Sequence, residues 1–354
     1  MYKSDDKLWK PISIGSQFEL HRGRESKTTV DAGGKLPFVS AKKTDNGYRM
    51  FVKTPSTRIS RNTLSLNNNG DGGAGFGYYQ PYEYTIDVNT TALVPHQNIP
   101  MNKHIGLFWV SCFTWMHDYF GNARTLSNKR AKTTRIMLPV TDSGCPDYEY
   151  MAEYVQELRK KMLIKYQAYV KKRIAELGDY VEIPTLSEKK WGAVHLTDVF
   201  DSVSRGKRLK KADHVEGNIP YVSSTALTNG NDGTCGNSEG VRKFAHCLTL
   251  ANSGSVGSCF YHPYQFVASD HVTALQRTGM SEFGYLALSA LVGRLGEKYN
   301  FNREINDARI SRERIMLPIT DSGEPDYEYM EQYIKNMMLQ KYRQYLTFID
   351  DKIE

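Results

Sequence analysis

The chain has 354 residues, about two domains at roughly 150 residues each. Hydrophobic residues at 40% and aromatic residues at 12% are enough for packed cores and exclude a disordered chain. The formal charge of +7 is uneven, with a net +10 over residues 1–177 and −3 over 178–354, which permits a polyanionic partner without requiring one. The most apolar stretch, Ile105 to Met116, is too short to span a bilayer, and the acidic N-terminal residues include no secretory apolar core. The five cysteines are odd in number and form no C-x-x-C pair, which argues for reduced thiols in a cytoplasmic protein.

In chain order, residues 1–141 read as a first head. It is rich in Gly, Asn, Ser and Thr, with short apolar runs at Pro37–Ser40, Thr63–Leu66 and Thr85–Val88 that predict strands. An apolar helix is predicted over His104–Phe120, then a basic segment, then the strand Ile136-Met137-Leu138-Pro139. Asp142-Ser143-Gly144-Cys145-Pro146-Asp147 predicts a turn, and a long helix begins just after the proline. Residues 142–178 hold that helix, 179–190 a hinge containing Pro184, 191–319 a second head and 320–354 a second long helix.

The second half repeats the first. Residues 136–151 and 315–330 differ only at Val140/Ile319 and Cys145/Glu324, an offset of 179. Weaker echoes keep offsets of 179–184: Trp9/Trp191, Arg22-Gly23/Arg205-Gly206, Leu36–Ser40/Ile219–Ser223 and Thr91-Ala92-Leu93/Thr273-Ala274-Leu275. Two copies are too few for a solenoid, so the expectation is a pseudo-dimer within one chain. Met151, Val155, Leu158, Met162 and Tyr166 recur at helical spacing, as do Met330, Ile334, Met338, Tyr342 and Tyr345. Each set predicts one apolar seam, and the two seams are expected to pack antiparallel.

Basic residues cluster at matched places: Arg22, Arg24 and Lys27 against Arg205, Lys207, Arg208, Lys210 and Lys211. Before the Ile-Met-Leu-Pro strands stand Arg124, Lys129, Arg130 and Lys132 in copy one, and Arg303, Arg309 and Arg312 in copy two. Lys42 and Lys43 add to the first head, so residues 1–141 carry net +9 and residues 187–319 net +3. Recurrence points to phosphate contacts. The loops 67–73 and 251–255, with Asn68, Asn69, Asn252 and Ser253, offer side chains of the kind that read bases. Catalytic patterns are absent: there is no P-loop, H-E-x-x-H, G-x-S-x-G, dinucleotide fingerprint or Asn/Asp-Pro-Pro-Tyr/Phe tetrapeptide. His21, His104, His117, His262 and His271 show no metal spacing and are expected on the surface or in the core.

The order of head, Leu-Pro strand and long helix, stated twice, resembles the specificity subunit of type I and type IIB-like restriction-modification systems. Gly217–Ser224, Ala251-Asn252-Ser253-Gly254 and Ser269-Asp270-His271-Val272-Thr273-Ala274-Leu275 lie within that resemblance, which covers essentially the whole chain. It implies an α+β fold with two target-recognition heads joined by two long antiparallel helices. It also implies that the heads read the halves of a split double-stranded DNA site. The helices would set the spacing and dock methyltransferase subunits, in a complex that can include a restriction subunit. The resemblance implies a non-catalytic subunit with no cofactor, metal or membrane partner. The first head departs from the pattern, since Ser269-Asp270-His271 has only Asp87 as a counterpart nearby. The alternative reading is a two-headed protein-interaction scaffold.

Overall fold

The computed structural model describes residues 7–69, 73–120 and 124–353. The N-terminal residues 1–6, Gly70–Gly72 of the first glycine-rich loop, and 121–123 of the basic segment lie outside the described residues. The chain divides into two compact units, Met1–Tyr166 and Gln167–Lys352, with the division inside the first long helix. No helix among the described residues is long and apolar enough to cross a membrane.

The first head runs β1 (Trp9–Ser13), β2 (Phe18–Arg22), β3 (Ala32–Val39), β4 (Tyr48–Val52), β5 (Thr63–Asn67), β6 (Gly77–Gln80), β7 (Thr85–Ile86) and β8 (Thr90–Pro95). Then come α1 (Lys103–Cys112), α2 (Thr114–Tyr119), α3 (Asn128–Thr133) and β9 (Arg135–Pro139), followed by the long helix α4 (Tyr148–Leu177). Three sheets form, in the orders β2-β8-β5-β6, β4-β3-β7 and β1-β9. The central strand β5 is buried on both faces, as its apolar and hydroxyl sequence Thr-Leu-Ser-Leu allows. Leu64, Leu66 and Leu93 pack with Phe18 and Trp109, whose rings meet edge to face at 4.9 Å. The helix predicted over His104–Phe120 is broken at Phe113, whose buried ring is drawn into this core.

The second head repeats the plan with β10 (Trp191–His195), α5 (Leu196–Val199), β11 (Ser202–Arg205), β12 (Ile219–Val222), β13 (Asn231–Cys235), β14 (Lys243–Phe244), β15 (Cys247–Ala251), β16 (Cys259–His262), β17 (Phe266–Ala268) and β18 (Val272–Gln276). It closes with α6 (Glu282–Gly293), α7 (Asp307–Ile310), β19 (Arg314–Pro318) and the long helix α8 (Tyr327–Ile353). Its sheets are β11-β18-β15-β16, β13-β12-β17-β14 and β10-β19. Even the parallel pairing repeats, with Phe38↔Thr85 and Val39↔Ile86 in one head and Tyr221↔Val267 and Val222↔Ala268 in the other.

The seams of the long helices differ from expectation. Met151 is buried in the first head's core with Val155 packed on it, but Leu158, Met162 and Tyr166 are exposed. Farther along α4 the buried residues are Val170 and Leu177. Val170 lies about 100° around the helix from Met151 at 3.6 residues per turn, so the buried face changes along α4. On α8, Met330 and Ile334 join the second head's core with Met338 packed against it, while Tyr345 is exposed. The first turns of both helices thus serve their own heads. Within the second unit the last turns of α4 run antiparallel to α8: Gln167 Nε2 donates to Asp350 (2.7 Å), and the Tyr169 ring meets Tyr342 at 6.4 Å.

The segment expected as a hinge is a strap. Gly178 ends α4 in the left-handed region (φ +77°), where glycine costs least. Asn336 of α8 then takes the Val181 N–H and donates to the Val181 carbonyl, and Tyr329 Oη donates to the Pro184 carbonyl.

One glycine closes each head where the two larger sheets meet. Gly23 N–H donates to the Thr90 carbonyl and Gly206 N–H to the Val272 carbonyl. A Cβ would fall 2.0 Å from the Asp87 carbonyl oxygen in the first case and 2.1 Å from that of Ser269 in the second. Gly23→Ala or Gly206→Ala must push the 87–89 or 269–271 loop away, and each is expected to destabilise the chain by about 1–3 kcal/mol in denaturant unfolding. Unchanged midpoints would contradict this packing.

Candidate nucleic-acid interface

The two heads carry the same polar junction where β5 meets β8 and β15 meets β18. Asn68 N–H donates to the Asn89 carbonyl, and Asn252 N–H to the His271 carbonyl, both at 2.8 Å. Asn68 Oδ1 accepts from Thr91 Oγ1 (2.7 Å) and Asn252 Oδ1 from Thr273 Oγ1 (3.0 Å). The carbonyls of Asn68 and Asn252 take the N–H groups of Leu126 and Ile305, each at 3.0 Å. Both asparagines are buried; Asn68 Nδ2 donates to the Leu126 carbonyl, while Asn252 Nδ2 has no partner among the described residues. Asn68 and Asn252, expected on open loops, therefore build the scaffold instead; Ser253 is also buried and Asn69 half-buried.

The matched arginines also hold the fold. Arg22 Nε donates to the Val88 carbonyl (3.0 Å) and Arg205 Nε to the Asp270 carbonyl (2.6 Å). Each thus ties the end of its strand to the loop entering β8 or β18. Arg205 also lies 3.8 Å from Asp307. Arg130 donates to the Thr125 carbonyl and Arg309 to that of Glu304, the same reach of five residues back. Arg124 lies over the Tyr119 ring at 3.9 Å and Arg303 over Tyr299 at 5.2 Å. A guanidinium engaged at one edge retains N–H donors at the other, so structural and phosphate-binding roles are compatible.

A second group of cations is exposed. Arg24, Lys27, Lys129 and Lys132 in the first head, and Lys207, Arg208, Lys210, Lys211 and Arg312 in the second, form no ion pair among the described residues. Lys42 pairs with Asp45, and with Thr44 holds that carboxyl below its ordinary range. Lys43 sits over the Phe76 ring at 5.5 Å. Lys27, Lys42 and Lys43 converge on a cleft of about 620 Å³ whose wall also includes Arg49, Asp87 and Asn89. The second head has a smaller cleft, about 390 Å³, lined by Arg205, Arg242 and Thr273. Arg49 and Arg242 escaped the sequence reading because each stands outside the basic clusters; the folded sheets bring them in. Arg242 donates to the Arg205 carbonyl at 2.6 Å.

The family model described as the type I restriction modification DNA specificity domain matches twice, over residues 6–166 and 188–345. The chain belongs to this family. It is a specificity subunit with two recognition domains. It is 25% identical over 307 residues, 85% of each chain, to the specificity subunit S.BcgI of a type II restriction enzyme from Heyndrickxia coagulans. It shares its fold with the type I restriction-modification S subunit from M. genitalium, at 14% identity and a TM-score of 0.51. That match covers 100% of this chain and 97% of the other.

The histidines of the specificity subunit divide by environment. His262 is fully buried in β16, with Nε2 2.8 Å from Thr249 Oγ1. Burial pushes its pKa down to about 4. The unfolded chain takes up a proton near pH 6.5 that the folded head refuses until about pH 4, so stability is lost as pH falls through that window. The slope contributed is about 1.4 kcal/mol per pH unit. His262→Phe is expected to flatten the fall in melting temperature between pH 6.5 and 4.5; an unaltered pH dependence would count against a buried neutral imidazole.

Proposed function

We propose that each head reads one half of a split double-stranded DNA site and that α4 and α8 set the distance between the halves. The observation that carries this reading is one folded scaffold, whose main-chain and Asn–Thr hydrogen bonds at the polar junction recur in both heads, bearing different side chains at its loops in the two copies. A shared scaffold supports a common docking geometry, while different loop chemistry supports different base preferences. The exposed lysines and arginines supply phosphate contacts.

Methyltransferase subunits are the proposed partners on the helices, with a restriction subunit as a further member of the complex, and catalysis resides in those partners. Tyr154, Leu158, Met162 and Ile164 on α4, and Met337 and Phe348 on α8, are large apolar side chains left exposed, as a docking surface requires. The cytoplasm, where such a complex meets DNA, is the proposed compartment.

Footprinting and methylation mapping of the complex with its methyltransferase partner test this reading. Two protected patches about one helical turn apart are expected, and one continuous footprint on every sequence would overturn it. Replacing Lys210 and Lys211 together by Gln is expected to weaken binding to all sequences alike. The slope of log affinity against log salt should fall by about 2. A protein-interaction scaffold would show no such salt dependence. Inserting four residues after Leu158 should change the accepted spacer and leave both half-site sequences unaltered, as read by methylation mapping.

A further inference from the structure

Identical main-chain geometry delivers two pairs of positions to the same place in each head. The residues after the buried asparagines are Asn69 and Ser253, and the residues whose carbonyls those asparagines bond are Asn89 and His271. The turns leading to the second pair are built alike. Asp87 Oδ1 accepts the Asn89 N–H (2.6 Å) and Ser269 Oγ accepts the His271 N–H (3.1 Å). Asp87 is thus the counterpart of Ser269, at the same offset of 182 as Thr91 and Thr273. The frame is the same, but the side chains presented are Asn in one head and His in the other.

Neither side chain is consumed by the fold. Asn89 lines the basic cleft with Lys27, Lys42, Lys43 and Arg49, and its carboxamide makes no hydrogen bond among the described residues. The His271 side chain is 58% exposed, with Nε2 3.9 Å from Asp270. Its Nδ1 lies 2.5 Å from Ser253 Oγ, and Ser253 is buried. A buried hydroxyl that fixes one nitrogen of an exposed imidazole orients the other nitrogen without satisfying it.

We propose that Asn89 in the first head and His271 in the second, the latter positioned by Ser253, are specificity-determining residues that each contact one base edge. This deepens the half-site reading above and rests on it. The carboxamide of Asn89 offers a donor and an acceptor, the pair that adenine N7 and N6 match in the major groove. With the Ser253 hydroxyl donating to Nδ1, Nε2 of His271 carries the hydrogen and donates to a purine acceptor, with guanine N7 or O6 as its target. The surrounding lysines and arginines contact phosphates and carry no sequence information.

The test selects bound DNA from a randomised library, using the specificity subunit assembled with its methyltransferase partner. Wild type is compared with Asn89→Ala, His271→Ala, Ser253→Ala and the double variant Asn69→Ser/Asn89→His. Asn89→Ala should erase the preference for adenine at one position of one half-site, with about a 10-fold loss on the original sequence. The other half-site, the spacer and the salt slope should not change. His271→Ala should do the same at one guanine of the other half-site, and Ser253→Ala should weaken discrimination at that same base alone. Asn89→His combined with Asn69→Ser, which supplies the hydroxyl at the Ser253 position, should move the first preference from adenine toward guanine, a gain that misfolding does not produce. Variants that leave every base preference intact, or weaken all sequences equally, overturn this inference while a bipartite wild-type site still stands. A wild-type complex that selects no bipartite site overturns the half-site reading, and this inference with it.

Discussion

Each head depends on the antiparallel pairing of its first strand with its Ile-Met-Leu-Pro strand. Trp9↔Pro139 through Ser13↔Arg135 in one copy repeats as Trp191↔Pro318 through His195↔Arg314 in the other. Closing the head this way brings Lys7 to Asp147 (2.6 Å) and Lys189 to Asp326 (2.5 Å). The same carboxylates accept the N–H of Tyr150 and of Tyr329, capping the long helices. Burial opposes the charge on Asp147 and Asp326, but the lysine and the capping N–H together keep both carboxyls below their ordinary range. Helix start and head closure are therefore one structural event.

Within that frame, the heads separate what must stay constant from what must vary. The buried Asn68–Thr91 and Asn252–Thr273 pairs are expensive to disturb, because a polar group left unsatisfied in a core costs about 1–3 kcal/mol. The residues whose carbonyls the two asparagines bond, half-buried Asn89 and exposed His271, carry the side chains that differ between the heads. A change at an exposed side chain costs little stability. Arg22 and Arg205 stand between these extremes, with one edge of the guanidinium on a loop carbonyl and further donors to spare.

Much of this was legible in the residues. The 179-residue repeat announced two equivalent heads, and the Asp-Ser-Gly-x-Pro-Asp turn marked the helix starts, because local turn and capping chemistry is short-range. The helix seams were misread beyond their first turns. Periodicity locates an apolar stripe but does not say which neighbour covers it, and Leu158 and Met162 lie exposed on the stripe that begins at the buried Met151. Asn68 and Asn252 were misplaced because a Gly- and Asn-rich run reads as an open loop. The partners that bury them, Thr91 with Leu126 and Thr273 with Ile305, are more than 20 residues away.

The sequence by itself determined the duplication, the strand-rich heads, the capped helices and the surplus of positive charge, all properties of neighbouring residues and their spacing. Only the tertiary structure decided which cations stand free and that Arg49 and Asn89 share one cleft. It also decided that Ser253 holds His271 and that the linker is strapped to α8. Those outcomes depend on sheet pairing between distant segments, where the partner of a side chain is chosen by topology.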